Sequence, residues 1–231
     1  MENMINPHRF SRVWKAGQQG LVVANATATA LADRQFELFG TNVVDGAVTY
    51  ADDHGLLLTT QGAGLDQVII FPSAAADNRS VFREYSWGPE NETHFEAVIR
   101  TSAFANTVSW WAGLALTNNA TIVVGDDNDE AQFRALQGTD TTWKCAVSVG
   151  GTDTLMDSGI TCQATTVYHL AIRFDKERRP HFFINEMEVA VGPVCAASTA
   201  LLPRVAIEEG SAAGKAMHVR SIAMSRNWGV N

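Results

Sequence analysis

The sequence predicts an all-β protein: an antiparallel two-sheet jelly-roll sandwich over residues 36–231, preceded by an extended N-terminal arm over residues 1–35. Three observations predict it. Apolar and polar residues alternate in short runs, the period of a strand with one buried face. Clusters of Gly, Asp, Asn and Pro punctuate these runs every 8–12 residues or so, roughly the spacing of a sandwich. No stretch carries an amphipathic helical pattern of three or four turns. A chain of 231 residues with 46% hydrophobic content is ample for one large core.

The elements follow in chain order. The segment GQQGLVVANATATALADRQ is rich in Ala, Thr and Gly and holds no sustained period. Ahead of it, Phe10, Val13 and Trp14 stand at i, i+3 and i+4, the spacing of one apolar helical turn. A tryptophan on a poorly cored arm must pack on the body of the protein or on another subunit. Arg9, Arg12 and Lys15 make a local basic excess, either a dock for an acidic protein surface or a solvated arm. GLLLTTQ (55–61) and DQVIIFP (66–72) read as strands parted by Gly62 and Gly64. HFEAVIRT (94–101) sets Phe95, Ala97 and Ile99 on one face. VSWWAGLALT (108–117) sets Trp110, Ala112, Leu114 and Leu116 on one face and Trp111 on the other. TWKCAVSVG (142–150) and VYHLAIRFD (167–175) continue the pattern, and DKERRP turns the chain into the return segment HFFINEMEVAV (181–191). KAMHVRSIAMSRN (215–227) is the last strand.

Charge and composition narrow the function classes. The net charge of −8, with scattered Lys and Arg, argues against nucleic acid as a partner. No apolar run reaches the ~18 residues of a membrane span. The opening MENMINPHRFSRVWKAG has no apolar block, so we expect no secretory signal and a cytoplasmic site of synthesis. On that expectation the Asn-x-Ser/Thr triplets at Asn25, Asn78, Asn91 and Asn119 carry no weight. Cys145, Cys162 and Cys195 form an odd set without CxxC spacing and are expected to be free, buried thiols.

Candidate chemistry is sparse. A laminarinase-type site needs a Glu-x-Asp-x-x-Glu strand holding two carboxylates about 5 Å apart on one face. Here Glu208 and Glu209 are adjacent and face opposite sides, and Glu186 and Glu188 lack a third member. GxSxG, HExxH and P-loop patterns are absent, and the expectation is that the chain is not an enzyme. The acidic run VGDDNDEAQFR (124–134) fails as an EF-hand: from Asp126, position 6 is Ala131 and position 12 is Gln137. A looser calcium site at Asp126, Asn128, Asp129 and Glu130 stays open beside a solvated loop tip, and no other cofactor is expected. Trp87 in EYSWGPENET and Trp111 are candidate stacking residues for a host glycan, with core or interface packing as the alternative for each.

From Phe95 to Trp228 the ordered motifs FEAVIRT, SWWAGLALTN, DNDEAQFRA, TWKCAVSV, YHLAIRFDKERRPHFFINEMEVA and HVRSIAMSRNW resemble concanavalin A-like, laminin-G-like jelly rolls. The likeness is greatest to a group encoded by tailed phages. That resemblance implies two curved sheets packed face to face. It also implies a virion structural protein, assembled in the host cytoplasm, that decorates or cements the capsid exterior. In this reading Phe10, Arg12, Val13, Trp14 and Lys15 bridge subunits of the major capsid protein, and a homotrimer fits the threefold positions of a shell. The alternative is a carbohydrate-binding attachment lectin of a phage fibre or spike.

Overall fold

A computed structural model describes residues 9–16, 36–41, 48–51, 55–60, 66–72, 87–102, 108–116, 129–136, 138–210 and 216–227. Their strands are β1 (Arg9–Lys15), β2 (Glu37–Phe39), β3 (Val48–Ala51), β4 (Gly55–Thr59) and β5 (Gln67–Phe71). Then come β6 (His94–Thr101), β7 (Val108–Ala115), β8 (Asp129–Leu136), β9 (Thr142–Val149) and β10 (Thr152–Thr161). The series ends with β11 (Val167–Phe174), β12 (Pro180–Ile184), β13 (Met187–Val191), β14 (Leu202–Glu209) and β15 (Ala216–Asn227). No helix among these residues is long and apolar enough to cross a membrane.

The strands form the two antiparallel sheets of a jelly-roll sandwich, as the sequence predicts. One sheet runs β13-β12-β11-β6-β15-β4-β3, with β1 also on β15; the other runs β10-β9-β8-β7-β14-β5-β2. Alternation decides which face is buried. In β6 every second residue, Phe95, Ala97, Ile99 and Thr101, points into the core. In β15 the buried parity switches from Met217 and Val219 to Ile222 and Met224, across a register shift between Val219 and Ser221. Aromatic side chains join the sheets: Phe133 meets Phe182 edge-on at 5.2 Å, and Trp143 meets Tyr168 at 5.3 Å.

The N-terminal segment departs from the expected arm. Residues 9–15 are a strand paired along its whole length with β15, from Arg9↔Asn227 to Lys15↔Ser221. The helical turn expected from Phe10, Val13 and Trp14 is therefore not formed; strand alternation keeps Phe10 and Trp14 on the inner face and turns Val13 outward. Trp14 lies in the core, 2% exposed and edge-on to Phe36 at 5.2 Å. Phe10 packs on Trp87 at 5.9 Å, whereas Val13, Arg12 and Lys15 are exposed. An indole buried in its own sandwich is not available to bridge subunits.

Two further differences concern strands. The return segment 181–191 is a hairpin, turned at Asn185 and Glu186, which both have positive φ (50° and 70°). This places Glu186 in the turn rather than on a strand face with Glu188. β14, a central strand, is obscured in the sequence by Pro203, which argues against an interior strand. Its pairing with β5 begins only at Val205, beyond the proline.

Candidate functional site

Phe133 and Trp143 face the opposite sheet, so period-two alternation turns the intervening residues of the seven-stranded sheet outward. Cross-strand register arranges these outward residues in rows. One row reads Lys144–Arg134–Trp111–Ala206, the next Ala146–Gln132–Gly113–Arg204, and the next Ser148–Glu130–Ala115–Leu202. A sandwich's outer face is ordinarily solvated, yet most of these side chains are buried.

At the centre is a charged network. Arg204 reaches from β14 across β7 to β8, where its Nη2 donates to Glu130 Oε2 at 2.8 Å and to Gln132 Oε1. Gln132 Nε2 donates to Glu130 Oε1 at 2.5 Å. The guanidinium passes over β7 at Gly113, where a Cβ would lie 2.5 Å from Ala131 O and 2.6 Å from Gln132 Cβ. Arg204 is 1% exposed. Desolvating such an ion pair costs about as much as its attraction returns, so fold stability alone does not explain its presence. What burial does provide is fixed hydrogen-bonding geometry in a low-dielectric setting.

The neighbouring row is more accessible. The Arg134 side chain is 29% exposed, and its Nε finds no hydrogen-bond acceptor; Asp140 stands 4.0 Å away. Arg134 lies directly across from Trp111 and from Lys144. Lys144 is tied to Asp157 at 2.6 Å, an exposed pair that holds the Asp157 carboxyl well below its ordinary range. The face thus combines an indole (Trp111), three cations (Arg204, Arg134 and Lys144), an amide (Gln132) and two carboxylates (Glu130 and Asp157).

The residues expected to act are placed as follows. Trp87 is fully buried against Phe10, and Trp111 is 4% exposed, so neither offers the open stacking surface expected of it. Trp111 nonetheless lies on the polar outer face. Of the calcium candidates, Asp126 and Asn128 lie outside the described residues. Asp129 opens β8 and accepts the Gly150 N–H at 3.2 Å. Glu130 is buried and bonded to Arg204 and Gln132. Among the described residues no group of three or more His, Cys, Asp or Glu is arranged to hold a metal. The sequence reading missed Gln132, Arg134 and Arg204. Gln132 and Arg134 share the period-two parity of Glu130, whereas Arg204 sits in the unrecognised β14.

The three cysteines are free and buried. Burial above all, with nearby carboxylates, pushes each thiol up to about 12, which makes them inert. His169 lies 3.4 Å from Glu96 on the outer face of the other sheet, a partly exposed surface pair.

No family model matches the chain, and no curated protein matches it. Solved structures share its fold. A protein of unknown function from Shewanella oneidensis MR-1 has a TM-score of 0.62 at 9% identity, over 96% of this chain and 88% of that one. A native glycosidic hydrolase has 0.58 at 11% identity, over 93% and 94%. The metal-free carbohydrate recognition domain of Emp46p has 0.52 at 7% identity, over 82% and 87%. At these identities the likeness establishes the sandwich and no more. Nothing in the comparisons shows a phage capsid protein. The expectation that the chain is not an enzyme is corrected: the same sandwich serves a glycosidic hydrolase, so a missing Glu-x-Asp-x-x-Glu strand excludes one layout of carboxylates, not catalysis.

Proposed function

We propose that the protein binds carbohydrate on the outer face of the seven-stranded sheet. The observation that carries this reading is the partly exposed pair of Arg134 and Lys144 set beside the buried Arg204–Glu130–Gln132 network. A sugar needs rigid donors and acceptors for its hydroxyls. Here the Arg134 side chain is 29% exposed and supplies a guanidinium, and the network beside it ties β14 to β8. The sandwich shared with a carbohydrate recognition domain and a glycosidic hydrolase supports the same class of ligand. The capsid-cement reading needs an arm that reaches a neighbour, and β1 is instead paired within its own chain.

The test is a titration of the purified protein with neutral oligosaccharides by calorimetry, with reducing-end release followed in parallel. Arg134→Ala should weaken binding about tenfold or more while leaving the melting transition in place, as expected when one charge-assisted hydrogen bond is lost. Binding without release identifies a lectin; binding with release identifies a hydrolase. If no saccharide binds the wild-type protein, the proposal fails.

A further inference from the structure

On the opposite sheet, β1 and β4 both lie along β15 and meet end to end. Ala16 N donates to Arg220 O at 2.8 Å, which closes β1 onto β15. At the head of β4, Gly55 takes φ +92°, and a Cβ there would come within 2.9 Å of Ala16 Cβ and of Arg220 Cα. A residue other than glycine would therefore crowd the junction and strain the backbone. What the junction leaves is an open recess of about 390 Å³, bordered by Tyr50, Lys15, Arg220, Ser221, Gly55 and Val98. Its size falls within the roughly 300–1,000 Å³ of small-molecule sites. Tyr50 is 52% exposed, the one aromatic side chain of that exposure among the described residues.

We infer that this recess is a second saccharide site, one that takes a hexopyranose unit against the Tyr50 ring. The inference rests on the carbohydrate reading of the protein but not on the first site. An exposed phenol ring offers a flat apolar surface with a polar tip. The Lys15 ammonium, the Arg220 guanidinium and the Ser221 hydroxyl around it are donors, and the hydroxyl and ring oxygens of a sugar are acceptors. Val98 supplies a small apolar wall beside the ring. The two sites lie on outward faces of opposite sheets, so one short oligosaccharide cannot occupy both. A single chain would therefore crosslink separate glycan strands, and avidity on a glycan-coated surface would exceed either affinity.

The experiment is calorimetry of the full chain with laminaritetraose, cellotetraose, mannotetraose and chitotetraose, on the wild type, Tyr50→Ala, Tyr50→Phe and Arg134→Ala. Two sites per chain are expected. Tyr50→Ala should weaken one about tenfold or more, as the loss of a stacked ring would. Tyr50→Phe should retain it, and Arg134→Ala should affect only the other. A single site abolished by Arg134→Ala and indifferent to Tyr50→Ala overturns this inference and leaves the proposed function standing. A single site abolished by Tyr50→Ala and indifferent to Arg134→Ala supports it and removes the first site. Absence of binding by all four sugars overturns both.

Discussion

Arg204 is held by two acceptors contributed by a strand that is not its sheet neighbour, so its loss strands a buried carboxylate. Arg204→Ala should lower stability by about 3–5 kcal/mol in urea denaturation, because Glu130 would stay buried without its counter-charge. Replacing Arg204, Glu130 and Gln132 together by apolar residues of similar volume should cost far less, and such a protein should fold but bind sugar poorly. His181 illustrates the opposite, exposed case. Its ring stands 3.1 Å from Asp175 and 3.3 Å from Glu188. Burial pulls the imidazole down, but the bonds to the two carboxylates more than offset it and hold its pKa above 6.5. A raised folded-state value favours the protonated form, so this stabilisation is complete below pH 6.5 and fades as pH rises through the folded value. The urea midpoint of the wild type should therefore fall across that window, and His181→Gln should flatten the dependence there. Asp175 works in the other direction. Burial raises its pKa, and the bonds from the Arg179 N–H and His181 lower it to a net value below 3.8, so its share is lost only in strong acid.

At the scale of elements, β1 is the strand whose role changed most between sequence and structure. An i, i+3, i+4 triplet over one turn is compatible with a helix, but alternation in a strand fits residues 9–15 too, and a seven-residue segment cannot arbitrate between them. The partner decides: β15 continues past the end of β4 and leaves a length of edge for β1 to fill. Trp14→Ala should cost about 3–5 kcal/mol, the scale for emptying a buried aromatic site, measured as a shift of the urea midpoint. Removing residues 1–16 should lower the melting temperature further, since it also uncovers Phe36 and one edge of β15. A free arm would leave both measurements unchanged. The β12–β13 hairpin was hidden for a local reason. Its turn is Asn185-Glu186, without the glycine that makes the usual Asn-Gly pair conspicuous. β10 is a mostly exposed edge strand, and its polar sequence gives no buried face to detect.

For the molecule as a whole, two sheets provide two outward faces, and the candidate sites divide between them. The fold class was legible because alternation in β6, β7, β9, β11 and β15 is a property of each short segment and requires no knowledge of partners. The free state of the three thiols was legible from their odd number and spacing. The sites were not, because their residues meet only through register. Glu130 and Gln132 are two apart on one strand, but Arg204 lies more than seventy positions away and joins them because β14 and β8 both flank β7. Tyr50, Lys15 and Ser221 come from three strands whose order in the sheet no local pattern reveals. Exposure was likewise out of reach: the sequence left Trp87 and Trp111 open between glycan stacking and core packing, and the structure buries both, whereas Tyr50 carried no signal and is open. The sequence by itself determined an all-β sandwich, because strand period and turn chemistry act over a few residues. Only the tertiary structure decided which polar residues converge and which aromatics face solvent, because both depend on contacts between segments far apart in the chain.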